Sequence, residues 1–468
     1  MNQLLMRRDT LVFEGTTLEI NDLFTSEFYQ FCDEKVDQFK GDIPVINEIY
    51  LSKVQVHLAL ILFFKKNNIQ EIVIDEVDDS LYPLVVDTAK KLSIKVHVNK
   101  KLINYKKVLK GHVYIIVSVL FLLWKMLLIK HSYTLTANPK KISIVRSPAS
   151  RKKMEKFEDI YILIEDFKSE RSIYKYFSKL DRVLWLFKSW VNSYVELKKY
   201  KNFTKEKIGK NSGIDVFVFY SKRIAHTLLY QHILNHYFTT NNRSIFYTGN
   251  NLDRYALVEE IVARKHKVNT VCIPHGIEYG FKLPHCFTGN TFYTTSKKAE
   301  KYLNLIYKEN KFKYVKEISE KMFSFSFENN SKERVVFFTE PREVNVNLKI
   351  IDEILPLMER EGILLYIKLH PKDSKNNYEK YGDRLNFIEN IIEALTGNVC
   401  FSRKSTTLLE AVYNNSKVSS IITNEKDKAI FNTFPSLQDE KIEVFHDTLN
   451  LFKWIKTQVN ITKKSREL

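Results

Sequence analysis

The stretch LLYIKLHPKDS, residues 364–374, runs an apolar, strand-like segment into His370 and Pro371. An imidazole can donate to a phosphate or assist a leaving group. The proline fixes φ and removes a competing N–H, so the ring is presented from a rigid turn. Further on, RKSTTLLEA (403–411) opens a helix-like run with Ser405, Thr406 and Thr407 in its first turn. Free backbone N–H groups, hydroxyls and a positive helix end suit an anion such as a phosphate. Glu410, one to two turns in, is placed to accept from ribose hydroxyls, and Arg403 and Lys404 add positive charge. Each feature also has a plainer reading: Ser-Thr-Thr as a helix N-cap, His-Pro as an ordinary turn. Together in one α/β unit they point to a phosphate site at the ends of neighbouring strands.

Several acids stand at strand ends where a general base could act. Asp253 follows the strand-like SIFYTGN and a Gly-Asn-Asn loop, at a helix start. Glu278 and His275 follow the strand TVCI in PHGIEYG, and Glu165-Asp166 ends YILIEDF. The bland readings are a helix cap for Asp253, a loop ion pair for Glu278 and a satisfied structural histidine for His275. A loop built for close approach favours Asp253. Glu340 ends VVFFTE in the first strand-to-helix loop of the second half, with Pro341 and Arg342 beside it as a capped turn or a donor contact. No Asp-x-Asp metal pair stands out, so neither a metal nor a cofactor is expected.

The elements that would position these residues alternate. Strand-like EIVIDE (71–76), SIKVHV (93–98), KISIVRS (141–147) and DIYILIEDF (159–167) are separated by helical periodicities. Residues 181–239 read as mostly helical, and strand–helix–strand spacing resumes to residue 296. The lysine-rich 310–332 reads as a linker, after which RVVFFTE opens a second alternating series. This spacing predicts an α/β protein with parallel sheets. The expected division is a first Rossmann-like domain over 1–315, a second over 330–450, and a C-terminal helix and basic tail over 451–468 that could cross back to the first domain.

The chain has 468 residues, enough for two domains, and a formal net charge of +18. Such a balance seeks anions or reflects a lysine-rich proteome. Four scattered cysteines fit a reduced, cytosolic protein, and the start has no apolar run of signal-peptide length. Residues 111–130 (GHVYIIVSVLFLLWKMLLIK) are nearly long enough to span a bilayer but are flanked by lysines on both sides. Basic flanks on both sides favour a monotopic helix on an anionic leaflet, with a buried core helix as the rival reading. No helix-turn-helix, RNP-like or zinc-finger pattern appears, so nucleic acid is not an expected partner.

His370-Pro371 and Ser405-Thr406 resemble the His-Pro and Ser-Ser/Thr motifs of bacterial GT-B glycosyltransferases that use CMP-sugars. That group includes sialyltransferases, polysialyltransferases, and the capsule and lipopolysaccharide transferases of nonulosonic acids or Kdo. The motif match covers about 50 residues and the architecture match the whole chain. The resemblance implies two Rossmann-like domains with a cleft between them. It implies a CMP-activated donor held in the second domain by Glu340, His370, Pro371, Ser405, Thr406, Thr407 and Glu410. It also implies a saccharide or lipid-linked acceptor on the first domain, inversion at the transferred carbon, and a peripheral place on the cytoplasmic face of the membrane. In that group the base is often the second acid of an acid-acid-Gly motif; Glu165-Asp166-Phe167 lacks the glycine, which leaves Asp253, Glu278 and Asp166 as candidates, with His275 beside them. Teichoic-acid polymerases that use CDP-glycerol are similar in both motifs and architecture, and a UDP-sugar donor on the same fold or a non-catalytic polyanion binder are the other readings.

Overall fold

The computed structural model of the protein describes residues 3–78, 80–98, 104–131, 139–249, 252–274, 276–325 and 334–466. It divides into two compact units: Met1–His275 with Phe281–Phe292, and Gly276–Gly280 with Tyr293–Leu468.

The strands lie in three sheets. The first contains β1 (Gln3–Arg8), β2 (Thr10–Phe13), β3 (Thr16–Glu19), β4 (Glu71–Val77) and β5 (Lys95–Val98), ordered β3-β2-β1-β4-β5. β1 to β3 form an antiparallel meander, while β4 and β5 add in parallel. The β2–β3 turn holds Glu14 at φ 50° and Gly15 at φ 78°. Two successive left-handed residues make the type I′ turn whose twist matches a hairpin. The sequence pattern places no strand before EIVIDE, so this meander is an addition to the expected domain.

The second sheet contains β6 (Lys141–Val145), β7 (Tyr161–Ile164), β8 (Ile245–Thr248), β9 (Asn269–Cys272), β10 (Thr291–Thr294) and β11 (Phe312–Tyr314), ordered β11-β10-β9-β8-β6-β7. The pairs from β7 through β10 are parallel. The direction of strand succession reverses between β6 and β8. The third sheet contains β12 (Val335–Phe338), β13 (Leu365–Lys368), β14 (Asn386–Phe387), β15 (Val399–Ser402), β16 (Lys417–Ile421) and β17 (Ile442–Phe445). Its order, β14-β13-β12-β15-β16-β17, is parallel throughout and is the 3-2-1-4-5-6 order of dinucleotide-binding sheets, reversing between β12 and β15. The expected α/β class, with two Rossmann-like parallel sheets, is what the chain adopts.

Parallel strands are covered on both faces, which is why VVFF carries four apolar residues in a row. Val335 and Phe337 face a core with Val399, Phe401, Leu365 and Ile367, while Val336 and Phe338 face another with Cys400, Leu408 and Val418. The helix Val344–Arg360 buries Ile350, Ile354 and Met358 in the first of these cores. Leu451, Phe452 and Ile455 of the C-terminal helix Thr448–Arg466 bury in that same core. That helix, which could cross back to the first domain on the sequence reading, falls in the second unit, where its residues Leu451, Phe452 and Ile455 are buried. The stretch expected as linker also carries structure. It holds β11 and the helix Lys316–Phe323, which buries Met322 and Phe323; residues 326–333 lie outside the described residues.

In the first unit four helices pack together: Asn104–Leu128, Lys179–Lys207, Lys210–Ser221 and Ile224–Thr240. A Cβ on Gly111 would sit 2.5 Å from Phe217 Cε1, so glycine is what lets the first and third of these approach.

Candidate functional sites

In the second unit the register aligns three strand ends. Phe338 lies opposite Lys368 on one side and Ser402 on the other. Thr339 and Glu340, His370, and Arg403 to Thr407 therefore leave the sheet at one edge, around the β12/β15 reversal where open α/β sheets hold ligands. Thr339 Oγ1 accepts from the His370 N–H at 3.1 Å. The His370 Nδ1 accepts from the Lys372 N–H at 3.1 Å, and the His370 carbonyl accepts from the Asp373 N–H at 2.8 Å. Partial burial, and then Lys372, hold the imidazole below its ordinary value, with Asp373 opposing. A neutral ring whose Nδ1 is an acceptor carries its proton on Nε2, so the half-buried side chain presents an N–H donor. Pro371 is exposed beside it.

Ser405 Oγ bonds Thr407 Oγ1, and the Thr407 N–H points to Ser405 Oγ at 3.4 Å. Thr406, exposed, precedes the helix Thr407–Val412 without a side-chain cap bond. The hydroxyls thus pair with each other and not as a simple N-cap. Glu410 lies within this helix, half-buried, its carbonyl accepting from Asn414 Nδ2.

Arg403 and Lys404 are not the free cations that the sequence reading counts. Arg403 is fully buried and grips Asp427 through Nε at 2.6 Å and Nη2 at 2.8 Å, and Glu343 through Nη2 at 2.7 Å. Lys404 bonds Asp427, and Lys426 pairs with Glu343 at 2.7 Å. The cations hold Asp427 and Glu343 below the ordinary carboxylate range despite burial. Glu343 sits at φ 56°, a left-handed strain that this network stabilises. Glu340 lies next to it and is different. Burial raises its carboxyl, with Lys404 and Arg403 opposing, and its buried Oε1 has no hydrogen-bond partner among the described residues. Such an atom is a place for a ligand donor. At the far strand, Lys368 Nζ donates to the Glu389 carbonyl at 2.8 Å, and Asn390 caps the next helix through Ile392 N–H.

The first unit has its own edge, at the β6/β8 reversal. Arg146 follows β6, Glu165 follows β7, and Thr248 ends β8. Arg146 donates to Glu259 at 2.6 Å and to Asp253 Oδ2 at 3.2 Å, and its guanidinium lies 3.9 Å from the Tyr255 ring centre. Glu259 is buried and also accepts from Tyr230 at 2.8 Å and Thr248 at 2.6 Å. The Asp253 Oδ1 accepts from the Tyr255 and Ala256 N–H groups at 3.0 Å, so it starts the helix Ala256–Lys265. Its side chain remains 48% exposed, which leaves it open to a second task. Next to it, His226 Nε2 lies 2.7 Å from Glu165 Oε1 and its Nδ1 lies 3.2 Å from Tyr255 Oη. Tyr174 donates to Glu165 at 2.5 Å. His226, then Tyr174 and Arg146, keep this buried carboxylate below its ordinary value against burial.

Sequence reasoning missed Arg146, Tyr174, His226 and Tyr255. Arg146 was detectable, since it directly follows a strand. His226 comes from the middle of a helix and carries no local signal. Among the other candidate acids, Asp166 accepts from the Ser169 N–H at 2.8 Å and closes its own turn. Glu278 is fully buried; its Oε1 accepts from Ser436 at 2.9 Å and from the Thr295 N–H at 3.2 Å. The sequence offers it as a base, but the structure leaves it no open face. Burial raises its carboxyl, with Ser436 and Thr295 opposing. His275 lies outside the described residues.

No protein-family model matches the chain, and no curated protein matches it. Among solved structures, the chain is similar to a Listeria monocytogenes protein described as a UDP-N-acetylglucosamine 2-epimerase. The identity is 12%, the TM-score 0.37, and the match covers 70% of this chain and 90% of that one. At that score the likeness assigns neither substrate nor reaction.

Proposed function

We propose that the protein is an inverting, metal-independent glycosyltransferase of the GT-B type. It moves a sialic acid, another nonulosonic acid or Kdo from a CMP-activated donor to a saccharide acceptor in bacterial capsule or lipopolysaccharide synthesis, at the cytoplasmic face of the membrane. The observation that carries this reading is the β12/β15 edge. There His370 and Ser405 to Thr407 follow the ends of β13 and β15 on either side of β12, and a buried Glu340 oxygen after β12 has no hydrogen-bond partner among the described residues, which supports a donor site at this edge.

In this mechanism the donor phosphate accepts from His370 and from the Ser405–Thr407 loop, and Glu340 accepts from a donor hydroxyl. Asp253 takes the proton of the acceptor hydroxyl. The new bond forms between that oxygen and the anomeric carbon as the bond from the anomeric carbon to the phosphate oxygen breaks, and CMP leaves with the electron pair. Hydrogen bonding from His370 stabilises the charge that grows on the leaving phosphate. Arg146 orients Asp253, and the Glu165–His226 pair holds the neighbouring Tyr255.

A CDP-glycerol or UDP-sugar transferase would use the same edge, and the net charge of +18 would also serve a polyanion binder. Calorimetric titration of CMP, CDP, UMP and UDP into wild type and His370→Ala separates them. CMP or CDP binding that is lost in the variant supports the reading, and donor assays then divide CMP-sugar from CDP-glycerol. UDP binding alone removes the CMP donor. No nucleotide binding, together with salt-dependent DNA or polysaccharide binding, moves the polyanion binder to the front.

A further inference from the structure

Among the described residues, most of the large apolar side chains that stay exposed lie on two neighbouring helices of the first unit. On Asn104–Leu128, Val113, Val117, Leu120, Phe121, Trp124 and Leu128 are exposed at 48%, 57%, 59%, 49%, 53% and 62%. Only 28% of the apolar window in Lys106–Leu128 is buried, against 56% in the other long apolar helix, Ile46–Lys66. The second is a core helix; the first is not.

The partner helix, Lys179–Lys207, carries a signal that its lysines hide. Leu180, Leu184, Phe187, Val191 and Val195 recur every three or four residues and are 67%, 50%, 59%, 53% and 54% exposed. Its opposite stripe, with Trp185, Ser189 and Ser193, is buried. An apolar stripe facing water on a helix already anchored by its other side needs a second environment. The two helices run antiparallel. Arg182 Nη2 donates to the Ile129 carbonyl at 2.8 Å at one end, and the His112 and Tyr194 rings lie 5.8 Å apart at the other. Between them runs an apolar groove of about 200 Å³, lined from both helices by residues such as Leu120, Leu123, Phe187 and Trp190. The result is one continuous apolar plate, long in one direction and two helices wide.

Charge identifies its occupant. The helix Asn104–Leu128 contains no Asp or Glu. Lys125 lies 4.2 Å from the Trp124 ring centre, Lys222 lies 4.3 Å from that of Tyr114, and Arg223 lies 4.0 Å from that of Phe219. Exposed lysines also flank the plate, at Lys106 on the first helix and Lys130 just past its end, and at Lys179 and Lys198 on the other, where Lys199 pairs with Glu196. An apolar plate with a basic rim fits acyl chains under anionic headgroups, with the lysines reaching up to the phosphates.

We propose that Lys179–Lys207 and Asn104–Leu128 together form a two-helix plate that docks flat on an anionic bilayer, so that the membrane contact is not made by residues 111–130 alone. This rests on the membrane-face part of the proposed function. It is read without donor or acceptor, so its failure and that of the transferase reading stay distinguishable. The test is sedimentation of the full-length protein with phosphatidylglycerol–phosphatidylcholine vesicles and with pure phosphatidylcholine vesicles. Wild type is compared with Phe187→Glu/Val191→Glu and with Val117→Glu/Phe121→Glu, each checked for a wild-type thermal transition. The expected result is stronger partitioning onto the anionic vesicles and at least a tenfold loss in both variants. Loss only in Val117→Glu/Phe121→Glu overturns the two-helix plate. Equal binding to both vesicle types overturns the anionic partner. Wild type that stays in solution as a dimer, and becomes monomeric in Phe187→Glu/Val191→Glu by light scattering, shows that a second copy covers the plate instead.

Discussion

The two sheet reversals of this chain are built on opposite plans. At β12/β15 the strong charges face inward: Arg403 and Lys404 are spent on Asp427 and Glu343, and what the edge offers is neutral, an imidazole N–H and hydroxyls. At β6/β8 the charges remain partly at the surface, with Asp253 half-exposed against Arg146 and a Glu165–His226 pair behind it. Neutral, preorganised donors suit binding an anion and releasing it, since a bare cation would hold the product as firmly as the substrate. A half-exposed carboxylate is open to an acceptor hydroxyl, with the cation fixing its orientation. In the proposed function, one edge would hold the donor and the other would take the proton.

That contrast can be broken at several points. The largest effect is expected for Asp427→Asn. It leaves Arg403 buried without its bidentate partner, and removing one member of a buried pair costs about 3–5 kcal/mol. Chemical denaturation should show that loss in the second unit; a change under about 1 kcal/mol would mean that the cluster is not a structural lock. Next is Asp253→Asn, which should lower kcat by roughly 10²–10⁴-fold with donor binding intact. Single-turnover assays with a matched donor read this, and an unchanged kcat would return the base to another acid. Glu278→Gln, by contrast, should leave kcat within a few-fold, because Ser436 and Thr295 already occupy the carboxylate.

His370→Ala should weaken nucleotide binding by about 1.5–3 kcal/mol, the usual worth of a hydrogen bond to a charged group. Retained affinity would make the His-Pro turn architectural. The smallest effect is on acid stability. Asp427 and Glu343 are held below their ordinary values, so their contribution is present above about pH 4 and is lost as pH falls through their folded-state values. Thermal scans from pH 6 to pH 3 should show the second unit weakening, and Glu343→Gln should flatten that slope. An unaltered slope would place the acid sensitivity elsewhere.

Most of the parallel strands were legible, because VVFF and VCFS are apolar runs that bury both faces, and period-2 and period-3.6 stretches alternate along the chain. The first meander was not legible. Its strands are four to six residues long, and its turn is Glu14-Gly15 and not one of the strong Asn-Gly or Asp-Gly signals. Motifs in one loop, such as His370-Pro371 and Ser405-Thr406-Thr407, could be read because their neighbours in sequence are also their neighbours in space. The Arg146–Asp253–Glu259 and Glu165–His226 contacts join residues up to 113 positions apart, and no local pattern marks them.

The sequence by itself determined the α/β class, the strand ends on which the second unit's polar loops sit, and a long apolar helix with basic flanks. It did so because burial on two faces and helical periodicity are local constraints. Tertiary structure alone decided which charges are spent and which are available. It turned Arg403 and Lys404 inward, closed Glu278, and left Asp253 half-open. It also set the stripe of Lys179–Lys207 beside Asn104–Leu128, where an unremarkable lysine-rich helix becomes half of an apolar plate. Those outcomes depend on which partner reaches a side chain across long separations, and composition and spacing do not carry that information.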